Sequence, residues 1–172
     1  MLESEGLPSM SEGRPDDDAG TEYWRILKPY WELIDIYQGP GRFLETYAAA
    51  PAIPRTLFAA HFCESEVSNG GLHQFFANPT GVLAPEAVQA FRRIGFEKSA
   101  AIVEQAMAFF GTPYPRVQEV RVERLSSRQG PTRQEWDPFY YLDDEFYRTL
   151  GPRHDPFYDA LDTLAKSEEG AA

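Results

Sequence analysis

The sequence predicts an all-α fold, a compact bundle of about seven to nine short helices. Three observations predict it. Apolar residues recur at i, i+3, i+4 in segment after segment instead of alternating. Gly and Pro interrupt those segments at helix-length intervals: Gly39-Pro40-Gly41, Pro51, Gly70-Gly71, Pro79, Gly81, Gly95, Gly111, Gly130-Pro131 and Gly151. No pair of alternating runs flanks a two-residue turn, so nothing reads as a hairpin.

Residues 1–20 are rich in Glu, Ser, Gly, Pro and Asp and include Asp16-Asp17-Asp18; they read as a disordered acidic leader. Residues 21–168 read as a single domain and 169–172 as a disordered tail. Tyr23, Trp24, Ile26 and Leu27 open an apolar helical pattern. Pro29 suits a first helical turn, and Trp31, Leu33, Ile34 and Tyr37 continue the pattern. After the turn at Gly39-Pro40-Gly41, Phe43, Leu44 and Tyr47 form a short helix ending before Pro51. A helix from about Ile53 to Ser68 carries Leu57, Phe58, His61, Phe62 and Ser65 on one stripe.

Asn69-Gly70-Gly71 ends that helix, since glycine accepts the left-handed closing conformation, and a short helix with Leu72, Phe75 and Phe76 inward follows. Pro85 opens the next helix and Gly95 closes it; Glu97 to Phe110, with Ile102, Val103, Ala106, Phe109 and Phe110 on its apolar face, ends at Gly111. Val117 to Arg128 carries both a strand-like and a helix-like pattern, and its run of Gln, Glu and Arg favours an exposed helix. Asp143 or Asp144 can cap a helix with Phe146, Tyr147 and Leu150, closed by Gly151. Asp155-Pro156 opens the last helix, with Phe157, Leu161 and Leu164 inward.

The net charge of −11 is uneven. Residues 1–20 carry −5, residues 135–172 carry −7 and the middle +1. Such a chain is repelled by nucleic acid and by anionic membrane, so direct contact with either is not expected. The single cysteine, Cys63, cannot form an internal disulfide, which points to a cytoplasmic setting. The acidity serves solubility, or it forms a surface for a basic partner.

The stretch holding Glu66, Asn69-Gly70-Gly71, Gln74-Phe75-Phe76, Asn78 and Gly81, with Ile94-Gly95 and Leu142-Asp143-Asp144-Glu145-Phe146-Tyr147, resembles the bacterial DNA-mimic proteins and their relatives. This is the DNA-mimic-protein C-terminal-domain family, whose members mostly have no assigned function. The resemblance covers about residues 25–166 and implies an all-α domain. The best-known member is an acidic dimer whose carboxylates imitate DNA phosphates and which sequesters a helix-turn-helix repressor. A basic partner such as a DNA-binding transcription factor, and a homodimer, are what the resemblance implies here.

Mimicry needs carboxylates held at fixed spacing, which a disordered Asp16-Asp17-Asp18 cannot supply. Asp155, Asp159 and Asp162 lie at i, i+4, i+7 along one helix side and are expected to be wet; Asp143, Asp144 and Glu145 extend the set. The alternative is an ordinary solvated helix face. Glu66 is expected to cap the N–H groups opening the helix after Gly70-Gly71, with Asn69, Gln74 and Asn78 completing a polar staple that sets the helix angle. A small-ligand pocket floored by Phe75 and Phe76 is the functional alternative at that place.

No catalytic residue, metal ligand set or cofactor is expected. His61-x-x-Glu64 shares a helix face but lacks the zinc-hydrolase pattern, Cys63 points away from it, and His61 reads as a hydrogen-bonded core residue. No Gly-x-Ser-x-Gly, phosphate-loop or dinucleotide fingerprint occurs. Trp136, Phe139, Tyr140 and Tyr141 form the candidate aromatic patch, either exposed or folded onto the core. The expected function is therefore a non-catalytic acidic binding protein that is DNA-mimic-like, against an interaction or immunity-type inhibitor module using the aromatic surface, or a purely structural domain.

Overall fold

A computed structural model describes residues 21–169. The expected leader, residues 1–20, lies outside the described residues, as do residues 170–172 of the expected tail. Nine α-helices and no strand occur among the described residues. They are α1 (Glu22–Leu27), α2 (Gly39–Ala49), α3 (Ala52–Ala77), α4 (Ala84–Arg93), α5 (Glu97–Ala108), α6 (Gln118–Ser126), α7 (Arg133–Trp136), α8 (Tyr140–Leu150) and α9 (Asp155–Glu169). The all-α expectation holds, and so does the helical reading of 117–128.

Helix α3 is the axis of the bundle, and α1, α4, α6, α8 and α9 all pack on it. It is two helical arms in one run. Gly70 (φ −150°, ψ 16°) and Gly71 (φ 80°, ψ 174°) break the helical path, so residues 52–69 and 72–77 point in different directions. The second arm is only about a turn and a half, too short to persist by itself in water. Its apolar payload holds it: Leu72, Phe75 and Phe76 are fully buried. Phe76 sits among Phe75, Phe110, Phe139 and Tyr114 at ring separations of 4.9–6.1 Å. Each such buried side chain contributes about 1.5–3 kcal/mol.

A helix end buried in the core must satisfy its orphan N–H and C=O groups. At the start of the second arm, the Leu72 N–H donates to Asp143 Oδ1 at 2.8 Å. At its end, Arg121 donates from Nε to the Phe76 carbonyl at 2.9 Å and from Nη2 to the Asn78 carbonyl at 2.9 Å. Gln118 Nε2 donates to the Ala77 carbonyl at 2.8 Å. An anion thus sits at the N-terminal end and a cation at the C-terminal end, the signs the local backbone dipoles favour.

Several local expectations are corrected. Asp143 lies in the first turn of α8 but caps the second arm of α3, not its own helix. Glu66 does not cap that arm; its Oε2 accepts from Asn78 Nδ2 at 2.9 Å and from Gln74 Nε2 at 3.5 Å, tying the first arm to the second. Asn69 is exposed. Arg121, expected on an open helix face, is fully buried.

Residues 31–38 are not helical beyond the 3₁₀ turn Lys28–Tyr30. Asp35 Oδ1 accepts from the backbone N–H of Tyr37 and Gln38, a local bond that competes with helix. Gly39-Pro40-Gly41 is the first turn of α2 and not a separate turn. The expected tail at 169 is still helical backbone, since α9 runs to Glu169.

Gly71 should tolerate no side chain. Its φ is in the region L-residues avoid, and a Cβ there would meet Asp143 Oδ2 at 2.5 Å and Arg133 Nη2 at 2.9 Å. At Gly70 the φ is negative, and the nearest atoms a Cβ would meet belong to the Gln74 side chain. Urea unfolding should therefore show Gly71→Ala losing about 3 kcal/mol or more and Gly70→Ala clearly less. Equal losses would refute the assignment of the strain to Gly71.

Candidate functional site

The six carboxylates proposed as a partner surface divide by what the fold does with them. Asp143 is buried, at 4% exposure. Besides Leu72 it takes Arg133, whose Nη2 lies 2.6 Å from Asp143 Oδ2 and whose Nε lies 3.0 Å from the buried Asp137. Burial pushes the Asp143 carboxyl above the ordinary carboxylate range, and the Leu72 N–H works against that shift. Asp162 is half-buried, and its Oδ1 accepts the Tyr23 N–H at 2.8 Å, capping α1 from α9. The expectation of wet carboxylates is therefore corrected at both positions. The physical reason is the same in each case: a backbone N–H at a helix start is met by an acid from the C-terminal part of the chain.

The other four are exposed. Asp155 opens α9 and pairs with Arg153 at 2.6 Å, both side chains standing in solvent. Asp144 and Glu145 on α8 and Asp159 on α9 have no ion pair among the described residues. Glu145 lines a groove between α5 and α8. The surface available to a partner is thus narrower than the residue count suggests.

Of the structural signature, Glu66, Gln74 and Asn78 form the side-chain bridge described above, Phe75 and Phe76 are core, and Gly70-Gly71 supplies the bend. No pocket opens on Phe75 and Phe76, which have no exposed surface. The aromatic set splits. Phe139 is buried, Trp136 is half-buried and edge-on to His73 at 5.0 Å, and Tyr140 and Tyr141 are exposed, Tyr141 at 65%.

A polar network that sequence reasoning missed lies beneath α9. Glu64 is 2% exposed and accepts from Ser68 Oγ (2.9 Å) and Tyr158 OH (3.2 Å), with His154 Nδ1 at 2.8 Å. Arg153 (φ 50°) and His154 (φ 61°) both occupy the left-handed region at the α8–α9 elbow. The contact between His154 and the buried Glu64 ties that elbow to α3. Glu64 stands seven residues after Leu57 on the apolar stripe, so a buried carboxylate needing partners could be read from spacing; partners some ninety positions away could not.

His61 is buried at 1% exposure, as expected, but neither ring nitrogen has a hydrogen bond, so the expected bond is corrected. It packs against the rings of Tyr23, Trp24 and Trp31 at 5.6–5.9 Å. These rings offer apolar contact in place of an acceptor, and burial pulls the imidazole down from 6.5 to about 4. Cys63 is buried and its thiol is pushed well up by the same desolvation. Among the described residues no group of three His, Cys, Asp or Glu side chains is placed to hold a metal ion, and no helix is long and apolar enough to cross a membrane.

The His61 environment has a pH consequence. The folded state holds the ring neutral while the unfolded chain protonates it below about 6.5, so stability is lost as pH falls from about 6.5 to about 4. The loss due to this group is about 3 kcal/mol across that window. Chemical denaturation of the wild type and of His61→Leu at pH 7 and pH 4 checks it. The variant should fall by less, and by about that difference; identical falls would contradict it.

No curated protein and no solved structure matches the chain. A family model described as DMP19-like protein, a DNA mimic protein family, matches residues 48–167. The match takes in the Gly70-Gly71 junction and all six carboxylates, while α1 and most of α2 precede it. With its acidic balance, all-helical fold and Gly-Gly helix junction, the chain belongs to the DMP19-like family of DNA mimic proteins.

Proposed function

We propose that this protein acts by binding and not by catalysis, as a DNA-mimic-like regulator that occupies the DNA-binding surface of a basic protein such as a helix-turn-helix transcription factor. The observation that carries the reading is the set of exposed carboxylates on the C-terminal helices of a chain in a DNA mimic family: Asp144, Glu145, Asp155 and Asp159. Asp144, Glu145 and Asp159 have no ion pair among the described residues, and the Asp155–Arg153 pair is exposed enough to exchange partners at little cost. Asp143 and Asp162 serve the same surface from beneath, fixing α8 and α9 relative to α3 and α1. That fixity is what a phosphate imitation requires, since a partner evolved against DNA reads charges at set positions.

A second reading is favoured by the exposed rings of Tyr140 and Tyr141, which suit an interaction or immunity-type inhibitor module. The two differ in salt dependence, because screening weakens ion pairs and leaves apolar contact intact.

The test is capture of partners at low salt from a lysate of the source cell, followed by a salt gradient and mass spectrometry. A basic DNA-binding protein released by about 0.3–0.5 M salt is expected, and its capture should be lost with Asp144→Asn/Glu145→Gln/Asp155→Asn/Asp159→Asn. Retention by that variant, or a partner held through high salt and lost on truncating Trp136 and Tyr140, would overturn mimicry in favour of the aromatic surface.

A further inference from the structure

A groove of about 890 Å³ lies between α5 and α8, with Glu145 of the acidic surface at its rim. Its volume is in the range of small-molecule sites, which combine an apolar lining with a few placed polar groups. Phe96, Ala101 and Ile102 give the apolar lining. The Ser99 and Thr149 hydroxyls in its wall bond each other at 2.6 Å and are already satisfied.

Four charged residues line the groove, Lys98 and Arg148 with Glu97 and Glu145. Lys98 and Arg148 both line the groove and both are exposed. Arg148 is the one arginine among the described residues with no hydrogen bond, ion pair or ring contact. The others are engaged, even where exposed, by carboxylates (Arg92 with Glu97 and Glu104), by carbonyls (Arg128 with Glu135) or by a ring (Arg55 over Tyr47). Lys98 likewise has no ion pair among the described residues, and the neighbouring Glu97 is held by Arg92 at 3.1 Å. In a protein of net charge −11, this groove carries two cations with no ion pair among the described residues, and of its two lining carboxylates Glu97 is already held by Arg92. Glu145, three positions before Arg148 on α8, also lines the groove and disfavours a second negative charge.

We propose that this groove binds an amphipathic monoanion, an aliphatic carboxylate of medium chain length. Its hydrocarbon lies on Phe96, Ala101 and Ile102, and its carboxylate meets Lys98 and Arg148. Apolar burial supplies the affinity and the two cations choose the sign of the head group.

The experiment titrates the full chain, followed by ¹H–¹⁵N NMR, with decanoate and with decyltrimethylammonium, each below its micelle-forming concentration. The two probes share a chain and differ in sign, and the overall charge of the protein favours the cation. Decanoate should give saturable shifts confined to residues 95–105 and 145–149 and should bind there more tightly than the cation. Lys98→Gln/Arg148→Gln should weaken decanoate about tenfold and leave decyltrimethylammonium no weaker. Both side chains are exposed, so the variant should fold, which its helical circular dichroism checks. Scattered or non-saturating decanoate shifts, tighter binding of the cation at the groove, or an unchanged decanoate affinity in the double variant would each overturn the proposal.

Discussion

Everything in this fold depends on a six-residue helical arm, 72–77, held at both ends by charge. The arm cannot form by propensity alone, because a helix that short does not recover the entropy of its first turn. It carries Phe75 and Phe76 into the centre of the bundle, so its terminal N–H and C=O groups are taken from water with it. Asp143 from α8 meets the first and Arg121 from α6 meets the last. Removing either leaves buried backbone groups unmet, at about 1–3 kcal/mol for each. Gly71 is the geometric condition for the arrangement, since a side chain there would stand where Asp143 and Arg133 must be. One short arm therefore sets how α6, α7 and α8 sit around α3.

Much of this was legible in the sequence where the cause was local. Gly95 and Gly111 adopt positive φ and stop α4 and α5 as their composition implies. Pro85 opens α4, and the Gly70-Gly71 bend stands where two glycines in a row allow a non-helical path. What could not be read was which distant residue completes each local need. A cap for residue 72 was foreseeable, but Glu66, six positions away, was a better guess than Asp143, which lies 71 positions away. Arg121 has the pattern of a surface residue because its polarity is the same whether it faces water or four carbonyls. At residues 31–38 a helical apolar pattern gives way to the bonds of Asp35, a competition that periodicity does not register.

The same long-range capping changes how the acidity should be read. Net charge counts Asp143, Asp137, Glu64 and Asp162 with the rest, yet all four are buried or half-buried and bonded within the molecule. They act as hydrogen-bond acceptors for helix starts, a turn, a tyrosine and a histidine. The exposed acids on α8 and α9 stand on a frame to which these buried acids contribute. On the proposed reading, the acids that would touch a partner differ from those bonded within the fold.

The direct test of that division compares melting temperatures of Asp144→Asn/Glu145→Gln/Asp159→Asn and of Asp143→Asn/Asp162→Asn against the wild type at neutral pH. The exposed triple variant should stay within about 2 °C, or rise as self-repulsion is relieved. The double variant, which removes fewer charges, should fall by roughly 5 °C or more, as the loss of charge-assisted bonds at two helix starts implies for a domain of this size. A triple variant that melts lower than the double one would contradict the account.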